Sequence, residues 1–276
     1  MNQLKQIIIW LCASLCLILS GNVNAQEKEL FVQYDLVDKS MNGKISMELL
    51  SKGQVTLSTA IRKMTMGGAI YVDKETGSIT KVEDNIEEVT SKYHVFKDSR
   101  NDLMVSVDLL MEKVFVKESL NLFHWELTSE KDSILGYECQ QAKVSFRGRD
   151  YTLWFTTALP FKAAPWKFHG LPGVVLKASS GDNFFKAEAV NLKIRNSKTS
   201  IENPYAKEEK ISWEDFKKEY IKKDKELMDK LKANAVKRNM PLPPFVGISP
   251  KKEIILEKNR YGIEELMNKA EQNKFE

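Results

Sequence analysis

Apolar and polar residues alternate along much of the chain between Leu30 and Ile194. Alternation with a period of two puts successive side chains on opposite faces of a pleated strand. Residues 30–36 and 44–50 carry it first, followed by 69–72, 92–97, 103–109 and 113–117. These runs are rich in Val, Ile, Phe and Tyr and are bounded by Gly, Asn, Asp or Lys, as strands are. Residues 133–146 and 151–156 flank Arg147-Gly148-Arg149-Asp150, and residues 174–177 and 184–194 flank Ser179-Ser180-Gly181-Asp182-Asn183. Both connectors have the composition of hairpin turns. So many short strands with no helix between them predict an antiparallel sheet, buried on one face and wet on the other.

The period changes after Ser212. Trp213, Phe216, Tyr220, Ile221, Leu227, Met228 and Leu231 recur at helical spacing among lysines and glutamates. Ser212 and Asp215 form a Ser-x-x-acid start signal, and Glu214 and Asp215 place negative charge in the first turn. A helix over about 212–238 is predicted, ended by Met240-Pro241-Leu242-Pro243-Pro244. An extended connector over 241–250, a last strand at 253–257 and a closing helix at 263–269 complete the reading. Because the helix has an apolar stripe, it is expected to pack on the sheet. The fold class is therefore mainly β (α+β), a large curved antiparallel sheet with a C-terminal helix on it.

The N-terminus has a different pattern. Lys5 precedes an apolar run from Ile7 to Leu19, and Val23-Asn24-Ala25 leads to a cleavage point before Gln26. This is the layout of a secretory signal peptide. The run is shorter than the ~20 residues a membrane-spanning helix needs. Residues 1–25 are read as leader and 26–276 as a single β-rich domain with no transmembrane segment, located in the periplasm or outside the cell. The formal charge of +4 falls by one with Lys5, too mild a balance for a nucleic-acid partner. Cys12 and Cys16 leave with the leader. Cys139 remains alone, so no internal disulfide forms and core packing must hold the fold.

The run Phe168-His169-Gly170-Leu171-Pro172-Gly173-Val174-Val175-Leu176 reads as a rigid turn opening a buried strand. Pro172 fixes φ, while Gly170 and Gly173 reach dihedrals closed to other residues. Together with Ile134-Leu135-Gly136-Tyr137-Glu138-Cys139-Gln140-Gln141-Ala142 and Gly148-Arg149-Asp150-Tyr151-Thr152-Leu153-Trp154-Phe155-Thr156, it resembles the GLPGLI family of Bacteroidetes secreted proteins. Those two segments are similar to the family's I-x-G-Y-x-C-x-K-A and G-R-x-Y-x-x-W-Y-T motifs. The match runs over about 92–194, with Val174-Val175 in place of Leu-Ile, Phe155 in place of Tyr, and Ala164 in place of Gly. The resemblance implies an exported β-rich protein of unestablished biochemical function. Its layout is also similar to the half-barrels of envelope lipoprotein carriers, an analogy of fold alone.

Candidate chemistry is sparse. His94, His124 and His169 are the three histidines and lack the paired spacing of a zinc site. A Cys139–His169 nucleophile pair is conceivable, but a buried cysteine beside a backbone-bonded histidine explains both residues. The sequence contains no phosphate loop, dinucleotide fingerprint or nucleophile elbow, and Glu83, Asp84, Glu87 and Glu88 lack calcium-loop spacing. No metal, cofactor or catalytic residue is assigned. Aromatic residues are the strongest positive sign. Tyr151, Trp154, Phe155, Phe161, Trp166 and Phe168 are either core or the lining of a cleft beside the 160–173 loop. Arg149 is either one half of an ion pair or an anchor for an anionic group. Tyr151, Trp154, Phe155, Trp166, Phe168 and Arg149 are the candidate ligand-binding residues, with Gly170, Leu171, Pro172 and Gly173 as the signature turn. The expected function is non-catalytic binding of an apolar small molecule, a peptide or an envelope protein. A hydrolase or thiol-dependent enzyme and a structural subunit of an envelope complex are the alternatives.

Overall fold

The computed structural model describes residues 27–39, 44–66, 70–72, 79–82, 87–110 and 112–238. The leader, the first residue of the strand expected at 69–72, and the connector, strand and helix expected beyond residue 240 lie outside them. The strands are β1 (Glu27–Asp38), β2 (Lys44–Lys52), β3 (Val55–Met66), β4 (Ile70–Val72), β5 (Ile79–Val82), β6 (Glu87–Asp98), β7 (Leu103–Leu110), β8 (Glu112–Glu118), β9 (Glu126–Ile134), β10 (Tyr137–Phe146), β11 (Arg149–Thr156), β12 (Val174–Ser180), β13 (Phe185–Ser197) and β14 (Lys210–Ser212). Helix α1 (Trp213–Arg238) follows directly.

Twelve strands form one sheet in the order β14-β8-β7-β6-β3-β2-β1-β13-β12-β11-β10-β9, and β4 and β5 pair separately. β13 returns alongside β1 and joins an N-terminal meander to a C-terminal one. The strand pairs of the large sheet are antiparallel, as expected, except for three residues of β14 that run parallel to β8. Residues 133–146 do not form one strand. Leu135 (φ 51°) and Gly136 (φ 80°) turn the chain between β9 and β10. Arg147 (φ 49°) and Gly148 (φ 76°) repeat the device between β10 and β11. Positive φ at both central residues marks the hairpin turn whose twist matches its strands.

The sheet curls strongly. Arg147, at the β10–β11 turn, forms an ion pair with Glu118 of β8. Eight strand steps separate β8 from β11 in the sheet, about 38 Å if it were flat. Direct contact requires the two ends of the sheet to bend toward one another. The concave side holds the main core: Leu30, Val32, Tyr34 and Leu36 of β1, Met47 and Leu49 of β2, and Tyr151, Leu153 and Phe155 of β11 are all buried. Bulges opposite Gln33/Tyr34, Gln140/Ala142 and Trp154/Phe155 interrupt the ladders, and bulges add local bend.

Ser212 Oγ accepts the Asp215 N–H (3.1 Å) and donates to the Asp215 carboxylate (2.7 Å), so the expected cap starts α1. Trp213, Phe216 and Tyr220 then bury against Val116 of β8. Beyond them the helix leaves the sheet: Ile221 is 42% exposed and Val236 82%.

Candidate functional site

The loop between β11 and β12 crosses the concave face and carries the Gly-Leu-Pro-Gly turn. The Ala163 N–H donates to Gly173 O, and the Val175 N–H donates to Ala163 O, which fastens both loop ends together. Gly173 is required by close approach: a Cβ there would lie 2.1 Å from the Thr156 carbonyl oxygen. Gly170 is required by its backbone, at φ +95°. Beside it, the Trp125 indole N–H donates to the His169 carbonyl at 2.8 Å.

Lys97 of β6 holds this loop from across the sheet. Its Nζ donates to the carbonyls of Ala164 (2.6 Å), Trp166 (3.0 Å) and Phe168 (2.7 Å). The side chain is buried, and burial pushes its pKa down to about 7. The three acceptors work the other way, because only the ammonium form carries three N–H donors. Sequence pattern did not reveal this residue. A lysine at an inward position of a strand was the available sign, since an uncompensated charge is excluded from a core.

A second buried group closes the same junction. Arg147 pairs with Glu118, and Lys167 lies 3.4 Å from Glu118 and 3.6 Å from Asp108. The Arg147 guanidinium stacks 3.4 Å from the centroid of Trp213, the first residue of α1, and Lys167 Nζ is 5.0 Å from the same ring. Two cations, two carboxylates and one indole thus tie β7, β8, the β10–β11 turn, the loop and the helix together. Arg147 and Trp166 (φ 54°) both hold left-handed backbone here, a conformation that costs ~1–3 kcal/mol and persists where surrounding contacts impose it.

The candidate residues separate by face. Tyr151, Phe155 and Phe168 are at most 2% exposed, and Phe168 packs with Phe123, Trp125, Tyr151, Trp166 and Phe185. These rings fill the concave face. Trp166 is half-buried at the edge of that cluster. Leu171 is buried and Pro172 exposed. Arg149 takes its ion-pair role, with Nε 3.1 Å from Asp182 and the guanidinium 3.8 Å from the Phe184 ring centroid. Trp154 alone of the candidate rings on β11 faces the opposite side from Leu153 and Phe155.

Cys139 is buried in β10, and burial raises its thiol pKa to about 11. Burial, then the charge of Lys97, pushes His169 down to about 4 against the pull of Asp102. A thiolate–imidazolium pair needs both shifts reversed. His94 shares a 2.9 Å hydrogen bond with Thr59, and burial followed by Lys92 and Lys113 lowers its pKa. His124 is exposed. Among the described residues, no group of three His, Cys, Asp or Glu is placed to hold a metal ion, and no helix is long and apolar enough to cross a membrane.

Two solved structures of PNGF-II, in space groups P21 and C2, are similar to the chain at 15% identity, with TM-scores of 0.46 and 0.45. Each alignment covers 72% of this chain but 34% and 33% of those chains. The chain therefore spans about a third of the length of the solved structures it matches. No curated protein matches it. The family model described as "N-glycanase peptide, N-terminal domain" matches residues 67–215, a stretch that includes the Gly-Leu-Pro-Gly loop, Lys97, the buried ion pairs and the first turn of α1. The chain belongs to this N-glycanase N-terminal domain family.

Proposed function

We propose that this protein is an exported, non-catalytic domain that binds glycoproteins. Residues 1–25 act as its leader, and residues 26–276 form one domain. The supporting observation is the family match over 67–215, whose name ties the domain to chains that act on N-linked glycans. The same residues include the GLPGLI-like segments, so the exported character implied by that resemblance belongs to the same stretch of chain. The pKa directions of Cys139 and His169 favour binding over thiol catalysis. The expected partner class thereby becomes a glycan-bearing protein at the envelope or outside the cell.

Titration calorimetry of the purified protein against ribonuclease B and its unglycosylated counterpart, ribonuclease A, tests this. Binding to the glycosylated form alone supports the reading. Binding to neither, or release of the glycan by this chain alone, overturns it. Intact-mass measurement of the exported protein tests the leader, with Gln26 expected as the first residue.

A further inference from the structure

Trp154 packs against the edge of the main core and stays partly open to solvent on the outer side of β11. It stands opposite Gln141 of β10 and Lys177 of β12, and Lys177 stands opposite Glu188 of β13. Directly opposed residues of antiparallel strands share a face, so Gln141, Trp154, Lys177 and Glu188 form one row on the convex side. All four are only partly buried. The row therefore presents an indole ring flanked by a carboxamide, an ammonium and a carboxylate.

Its polar members are held in place. At the β10 bulge, Gln140 Nε2 donates to the Thr128 carbonyl (2.8 Å), while Thr128 Oγ1 donates to Gln141 Oε1 (3.2 Å). The Gln141 amide is fixed through its oxygen and keeps its N–H donors. Lys186 lies 2.8 Å from Glu188, and Lys177 lies 3.9 Å from Asp132. With Asp35 of β1, exposed and directly opposite Glu188, two cations face three carboxylates, so the patch carries no surplus of positive charge.

We infer that this row is a binding site for a neutral carbohydrate, with a sugar ring stacked on Trp154 and its hydroxyls bonded to Gln141, Lys177 and Glu188. The indole supplies an apolar face of the size of a pyranose ring. Sugar hydroxyls both donate and accept, so they satisfy an amide, an ammonium and a carboxylate together. The lack of surplus positive charge argues against polyanions, whose binding depends on surplus Lys and Arg. A purely apolar ligand would strip water from two ion pairs without replacing its hydrogen bonds. Ordered side chains limit the entropy lost on binding.

This inference rests on the glycoprotein-binding reading and assigns the glycan to the convex face. The test titrates wild type, Trp154→Ala, Trp154→Phe and Gln141→Ala with ribonuclease B and with N,N′-diacetylchitobiose. Truncating an aromatic anchor is expected to weaken binding about tenfold or more, while Trp154→Phe retains most of the affinity and Gln141→Ala loses less than Trp154→Ala. If Trp154→Ala does not fold, a several-fold loss in folded Gln141→Ala supports the site and unchanged affinity overturns it. Wild-type binding that survives Trp154→Ala undiminished overturns the site and leaves the glycoprotein reading standing. No binding by wild type overturns both.

Discussion

The two faces of the sheet use their polar residues in opposite ways. On the concave face, Lys97, Arg147, Arg149 and Lys167 are buried and turned onto the protein's own carbonyls, carboxylates and rings. On the convex face, Gln141, Lys177 and Glu188 remain partly open around Trp154. A buried charge satisfied by its own chain has little left to offer a ligand, whereas a half-exposed polar group still does. The concave side is thus architecture, and the proposed glycan site lies on the side whose polar groups stay open.

The largest expected effect tests the architectural half. Lys97→Met removes the donor from three carbonyls that pack in the concave core. A buried acceptor left unsatisfied costs ~1–3 kcal/mol, so with three acceptors a total loss of at least ~3 kcal/mol is expected, read as a lower denaturant midpoint. A loss below ~1 kcal/mol would show that the loop does not depend on this lysine. Gly173→Ala comes next. The Thr156 carbonyl in the way is backbone, and overpacking of this kind costs ~1–3 kcal/mol. Gly136 has no atom within 4 Å of its added Cβ but holds φ +80°, so Gly136→Ala isolates the cost of backbone strain from that of crowding.

The pH dependence sharpens the comparison. His169 has its pKa lowered from 6.5 to about 4, so the unfolded chain binds more protons between those values and stability falls as the pH drops from 6.5 toward 4. His169→Gln is expected to flatten that part of a melting-temperature profile. Lys97, lowered from 10.5 to about 7, acts with the same sign in a higher window: its contribution is full above 10.5 and lost as pH falls to 7. The wild-type stability advantage over Lys97→Met is expected to grow from pH 7 to pH 10. The smallest stability effect is expected on the convex face, where Trp154→Ala removes cross-strand contacts at about 0.2–1 kcal/mol. A loss comparable to that of Lys97→Met, measured in the same denaturant titration, would erase the distinction between the faces.

Local pattern determined a good deal of this protein. Alternation in β1, β2, β7 and β11, the Arg147-Gly148 turn and the Ser212 cap are set by neighbouring residues, and each appears where the chain predicts it. β3 is not legible in the pattern, because Thr56, Ser58 and Ala60 turn inward and are buried while Val55, Leu57 and Ile61 lie on the partly open face, the reverse of what alternation leads one to expect. The break at Leu135-Gly136 was masked by apolar residues on both sides.

The division of labour between faces was decided only in three dimensions. Period two says that Trp154 and Phe155 point apart, but not which of them meets the core. Nor does it bring Lys97 to carbonyls that lie 67 to 71 positions away, or Arg147 to Glu118 across eight strands. Those contacts depend on how far the sheet curls, and curl accumulates from twist and bulges over all twelve strands. A property summed over the whole sheet leaves no mark at any one residue.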